Sequence, residues 1–155
     1  MERREFIHKG TGAAALGLAA ASGFVPSAAQ AQAAWNKGAF DSKTLAEAVK
    51  ALGGSGAPTE SKDVVLQAPE IAENGAVVRI GAQSNVPGTQ QIAFVVEKNP
   101  NALAALFEVP EGTDANVSTN VKMGQSSNVY AVAKAGDKFF YSVKEVKVTL
   151  GGCGG

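Results

Sequence analysis

Residues 151–155 read Gly151-Gly152-Cys153-Gly154-Gly155, and Cys153 is the only cysteine in the chain. A thiol forms reversible sulfur–sulfur bonds, and its thiolate is the nucleophile. Glycine has no side chain to pack and loses the most conformational freedom on ordering. A glycine-only stretch therefore resists joining a helix or strand. Five extended residues reach ~17 Å at ~3.3–3.6 Å each. A lone thiol on such a tether has the composition of a carrier, a group taken to other active sites and back. Its neighbours include no cation or base. At the ordinary thiol pKa of ~8.5, only ~3% is thiolate at pH 7. The spacing predicts a thiol that reacts inside a partner's site, which supplies the base or the metal.

The rest of the inventory removes most alternatives. His8 is the only histidine, and it lies in a segment with the features of a cleaved signal. Glu2-Arg3-Arg4-Glu5-Phe6-Ile7-His8-Lys9 places a paired arginine, an apolar pair and a lysine before a weakly apolar stretch over 10–25. This resembles a bacterial twin-arginine export signal, with Glu2 where Ser or Thr is usual. Pro26 ends the stretch, and Ala29-Gln30-Ala31 offers the small-x-small pattern of signal cleavage. The stretch is too short and mild for a stable membrane span. Export to the periplasm is the expectation, with residues 1–31 removed, 32–150 forming the domain and 151–155 the arm.

Cleavage after Ala31 leaves 124 of the 155 residues. It removes three of 14 basic residues (Arg3, Arg4, Lys9) and two of 14 acidic ones (Glu2, Glu5), leaving 11 and 12. A charge near −1 gives no nucleic-acid footprint, which needs concentrated basic surface. Without histidine there is no Ser-His-Asp or Cys-His catalytic set and no histidine-based metal site. No cofactor is expected on this chain.

The elements that must hold the tether read as β. One helix is expected between Trp35 and Gly54. Asp41 is its N-cap, Leu45, Val49 and Leu52 recur at helical spacing, and Gly53 sits at C′. Seven strands follow, at 63–68, 76–83, 90–97, 104–109, 116–123, 127–133 and 138–150, rich in Val, Ile and Phe. Glu73-Asn74-Gly75 reads as a hairpin turn. The fold class is all-β, an immunoglobulin-like sandwich of about seven strands with one N-terminal helix and a flexible arm. Val146 and Val148 alternate with Lys147 and Thr149, so the last strand runs directly into the glycines. Val143 is out of phase with Val146, which predicts a bulge near Glu145. Met123 is expected in the core. Lys144 and Lys147 flank the root of the arm, as a solvated face or as attraction for an anionic sulfur compound.

The run Val146-Lys147-Val148-Thr149-Leu150-Gly151-Gly152-Cys153-Gly154-Gly155 resembles the signature of the SoxY family, the sulfur-carrier subunits of the bacterial thiosulfate-oxidising Sox complex. The export signal, the size and the order of helix then strands agree with that resemblance. It implies an immunoglobulin-like fold paired with a second β-sandwich subunit, SoxZ, exported together with it. It implies that Cys153 is the covalent attachment point and that Gly151, Gly152, Gly154 and Gly155 give the arm its freedom and its access to narrow channels. A haem c-type enzyme would couple thiosulfate to the cysteine. A dimanganese hydrolase would release sulfate. A molybdenum-haem dehydrogenase, where present, would oxidise the remaining sulfane sulfur. Redox and metal cofactors would belong to these partners, and the chain itself would not be an enzyme.

Two other readings stay open at this point. The Gly154-Gly155 ending also occurs in ubiquitin-like carriers that use a C-terminal thiocarboxylate, a route that needs cytoplasmic adenylation. A lone cysteine on an exported chain also suits a structural or adhesion domain that dimerises through a disulfide.

Overall fold

The computed structural model describes residues 36–149. Arg3 and Arg4 of the export signal lie outside the described residues, as do Gly151, Gly152, Cys153, Gly154 and Gly155. Two short helices, α1 (Lys37–Phe40) and α2 (Leu45–Ala51), precede nine strands. These are β1 (Thr59–Glu60), β2 (Val64–Gln67), β3 (Ile71–Ala72), β4 (Val78–Ser84), β5 (Thr89–Val96), β6 (Leu103–Glu108), β7 (Asn116–Val121), β8 (Ser127–Ala135) and β9 (Lys138–Val148).

The expected helix is broken in two. Asp41 caps the C-terminus of α1, and its carboxylate pairs with Lys37. The N-cap of α2 is Thr44, whose Oγ1 accepts from Glu47 N at 3.2 Å. Ser42 explains the break. Its hydroxyl donates to Ala39 O at 2.6 Å and its carbonyl accepts from Ala102 N at 2.8 Å, which ties the linker to the sheet. Gly53 lies just past the α2 C-cap with φ +92°, as its C′ position requires.

The strands form two sheets, in the orders β1-β9-β8-β5-β6 and β2-β4-β7, with β3 pairing beside β9 further along. The inner face of the large sheet supplies Ile92, Phe94, Val96, Val129, Ala131, Ala133 and Val146. These meet Val64, Val78, Ile80, Ala82 and Val121 of the small sheet, with Met123 fully buried among them. Phe94 and Phe107 meet edge to face with ring centroids 6.2 Å apart. The outer face of the large sheet holds a second core, in which Ala39, Ala48, Val49 and Leu52 of the helical segment cover Ala93, Val95, Val132 and Phe139. The described residues thus form a β-sandwich with a thin helical layer on one side.

All seven expected strands form, while β1 and β3, two residues each, were not foreseen. The Asn74-Gly75 turn joins no hairpin. It carries the chain from β3, beside β9, across to β4 in the small sheet, and Asn74 Oδ1 accepts from Ala76 N at 2.9 Å. The expected bulge near Glu145 is also absent. β8 and β9 pair without a register shift from Ser127↔Val146 to Ala135↔Lys138. Val146 points into the core between the sheets, and Val143 points to the outer face, where it is 37% exposed. The irregularities lie in β5 instead, at Phe94/Val95 and at Thr89/Gln91.

Candidate functional site

The site expected from sequence is Cys153, four residues beyond the last described residue, Thr149. What the structure determines is how the chain leading to it is held. β9 is clasped on both sides to its end. On one side it pairs with β8 up to Val146↔Ser127, and Ser126 Oγ then accepts from Val148 N at 2.9 Å. On the other side β3 pairs parallel to it, Ile71↔Lys147 and Ala72↔Val148. Lys147 N donates to Glu70 O at 2.9 Å and Thr149 N to Ala72 O at 3.1 Å. Val146 is fully buried, and Val148 packs against the same core. The root of residues 151–155 is therefore fixed by backbone bonds on two flanks. From Thr149, four extended residues give Cys153 a reach of ~14 Å.

The local sequence explains this geometry. Alternation places Val146 and Val148 inward and Lys147 and Thr149 outward. Parallel pairing with β3 needs a connection across the sandwich, and the Asn74-Gly75 turn begins it. Lys144 and Lys147 are three residues apart and so lie on opposite faces. Lys144 is half-buried and its Nζ donates to Ala68 O at 2.9 Å, which fastens β9 to the segment following β2. Lys147 is exposed on the outer face beside Ile71. The two lysines do not form a joint anion site.

Beside the root lies a groove of about 500 Å³, lined by Ala72, Glu73, Asn74 and Arg79 among others. Arg79 is the only arginine among the described residues. Sequence reasoning passed over it because its proximity to the root depends on β3 and β4 belonging to different sheets. Among the described residues no three His, Cys, Asp or Glu side chains cluster as metal ligands. No helix among them is long and apolar enough to cross a membrane.

One titratable group is perturbed. Burial pushes the Tyr130 phenol above the ordinary tyrosine value of 10.0, and the Glu97 carboxylate adds to the shift, against a hydrogen bond with Asn128. Tyr130 faces Tyr141 across β8 and β9, with ring centroids 5.7 Å apart. This pair lies on the outer face, packed against the second core, and was not singled out by sequence.

With the geometry established, the chain can be set beside known proteins. The family model for sulfur oxidation protein SoxY matches residues 49–153, so the matched stretch ends on Cys153. Among solved structures, the sulfur carrier protein SoxY from Chlorobium limicola f thiosulfatophilum is 36% identical over 69% of this chain and 97% of that one, with a TM-score of 0.63. A lytic polysaccharide monooxygenase from Jonesia denitrificans is 14% identical over 61% of this chain and 60% of that one. Its TM-score of 0.34 gives it no weight. No curated protein matches.

Proposed function

The chain belongs to the SoxY family of sulfur oxidation proteins, and on that premise we propose that it is a sulfur carrier which holds its cargo covalently on Cys153 and presents it to separate enzymes. The observation that supports this most is the family match running to Cys153 inside a glycine-only surround. The rigid root agrees with it. A carrier needs a fixed base and a narrow, reaching tip, and here Thr149, the last described residue, is clasped by the sheet.

In the first step the Cys153 thiol and thiosulfate join through a new sulfur–sulfur bond. The thiol loses its proton and the pair loses two electrons, which a haem c-type partner accepts. Hydrolysis by a dimanganese partner then breaks the bond between the outer sulfur and the sulfonate. Water supplies the oxygen of the released sulfate, and a persulfide remains on Cys153. A molybdenum-haem partner, where present, oxidises that sulfane sulfur, and a second hydrolysis frees the thiol. The chain supplies the attachment atom and the reach, and the partners supply the redox and metal chemistry. Export through Arg3 and Arg4 would place these events in the periplasm, and a SoxZ-type β-sandwich subunit is the expected constant companion.

The test is mass spectrometry of the intact protein from cells consuming thiosulfate, kept free of reductant, with the peptide spanning Cys153 sequenced. Thiosulfonate or sulfane additions on Cys153 are expected, removed by reductant and absent from Cys153→Ser. A bare thiol, or only a disulfide to a second copy, while thiosulfate is being consumed would overturn the carrier reading in favour of a structural role.

A further inference from the structure

β7 is one edge of the small sheet, whose strand order is β2-β4-β7. A strand edge is a row of free N–H and C=O groups, a template for pairing that proteins blunt with lysine, proline, bulges or a covering strand. The large sheet follows that practice at β9, whose outer flank is covered by β1 and β3. β7 does not. Its sequence, Asn116-Val117-Ser118-Thr119-Asn120-Val121, has no charge and no proline, and it pairs with β4 without a register shift.

The register shows which backbone groups are free. Ser84 N donates to Ala115 O at 2.8 Å, and antiparallel pairs alternate between bonded and non-bonded. The backbone groups of Val117, Thr119 and Val121 therefore face β4, opposite Ala82, Ile80 and Val78. Those of Asn116, Ser118 and Asn120 point away from the sheet. Asn116 N is satisfied locally by Asp114 O at 2.8 Å. Among the described residues no bond reaches the amides of Ser118 and Asn120 or the carbonyls of Asn116 and Ser118.

These groups call for an extended backbone, and the residues around them fit one in particular. Laid antiparallel on itself about Ser118, the strand sets Ser118 opposite Ser118, Asn116 opposite Asn120 and Val117 opposite Thr119. Further out, Asp114 of each copy falls opposite Lys122 of the other. Both side chains are exposed, and neither makes an ion pair among the described residues. In this register Ser118 bonds Ser118 in both directions, and Asn120 N of each copy meets Asn116 O of the other. An ion pair of opposite charges closes each end across a two-fold axis. β6, the free edge of the large sheet, lacks this symmetry, since the same operation about Leu106 sets Ala104 against Glu108.

We propose that β7 pairs antiparallel with β7 of a second copy of this chain, joining the two small sheets into one continuous sheet. The inference goes beyond the carrier reading and does not rest on it.

The experiment uses the full mature chain with Cys153→Ser, which removes any disulfide between copies. Sedimentation velocity is run up to about 1 mM, since a contact smaller than a standard interface is weak. A reversible dimer is expected, with amide hydrogen exchange of Ser118 and Asn120 slowing as it fills. Asp114→Lys sets like charges at both ends and is expected to weaken the dimer about tenfold. Adding Lys122→Asp to it is expected to restore wild-type affinity. Ser118→Pro removes an outward N–H and leaves the ladder to β4 intact, so it is expected to abolish the dimer with thermal unfolding unchanged. If that variant fails to fold, the charge exchange decides. A chain that stays monomeric throughout, or a dimer that Asp114→Lys does not weaken, refutes the proposal. A dimer formed only with Cys153 intact and oxidised also refutes it and belongs to the disulfide reading. The adduct on Cys153, and with it the carrier function, is decided separately by mass spectrometry.

Discussion

Tyr130 sits where two effects oppose its ionisation, burial first and the Glu97 carboxylate second. Its folded pKa is therefore above its unfolded one. The stabilisation linked to this proton is complete below the unfolded value near 10. It is lost as pH rises through the higher folded value. Urea unfolding measured between pH 9 and 11 should show wild-type stability falling as pH rises. The fall should be shallower in Tyr130→Phe, which has no phenol to ionise. An identical slope in both proteins would mean that other groups dominate the alkaline limb.

At the scale of elements, the docking of α2 on the large sheet turns on Gly54. A Cβ there would lie 2.5 Å from Val49 Cγ1, 2.9 Å from Val49 O and 3.0 Å from Phe139 Cε2. Neither the backbone oxygen nor the packed ring gives way readily. Gly54→Ala should therefore destabilise by about 1–3 kcal/mol, the usual cost of overpacking. It would be read as a lower urea midpoint with an unchanged m-value. A neutral result would mean that α2 shifts freely on the sheet. The contrast with sequence reading is instructive here. Val49 and Leu52 announced a helix, because helical spacing is local. Thr44 was passed over for Asp41, because the break between α1 and α2 is imposed by Ser42 bonding to Ala102, far away in sequence. The seven longer strands were legible from alternation. β1 and β3 were not, since two residues show no period and their pairing partners in β9 are 81 and 76 positions on. Asn74-Gly75 has the composition of a hairpin turn, yet the strands it joins belong to different sheets. Val143 broke the expected phase, and the reason was an apolar residue on the outer face rather than a distorted strand. Cys153 stood out by composition alone, and it lies outside the described residues. Arg79 and the Tyr130–Tyr141 pair did not, because only tertiary structure brings them to the root and the face.

At the scale of the whole molecule, the proposed function makes holding the fold and holding the cargo separable tasks. Both cores close within residues 36–149. Val146 is fully buried, and the amide groups of Lys147, Val148 and Thr149 already have partners in Glu70, Ser126 and Ala72. Among the described residues these bonds and both cores are made without Cys153 or the glycines around it. A chain stopped after Thr149 should therefore unfold within about 0.5 kcal/mol of the full mature chain, the range of substitutions that touch no packed feature. It should also acquire no sulfur. Urea unfolding and mass spectrometry on one preparation would check both. A loss of more than about 2 kcal/mol would instead show that residues 150–155 contribute packing to the sandwich, because effects of that size come from lost burial or lost bonds. The carrier would then have to break part of its own fold each time Cys153 entered a partner's site. On the proposed function, a base already satisfied by its own strands avoids that cost, and this is the physical sense of clasping the backbone of Lys147, Val148 and Thr149 so near the glycine-rich residues 151–155.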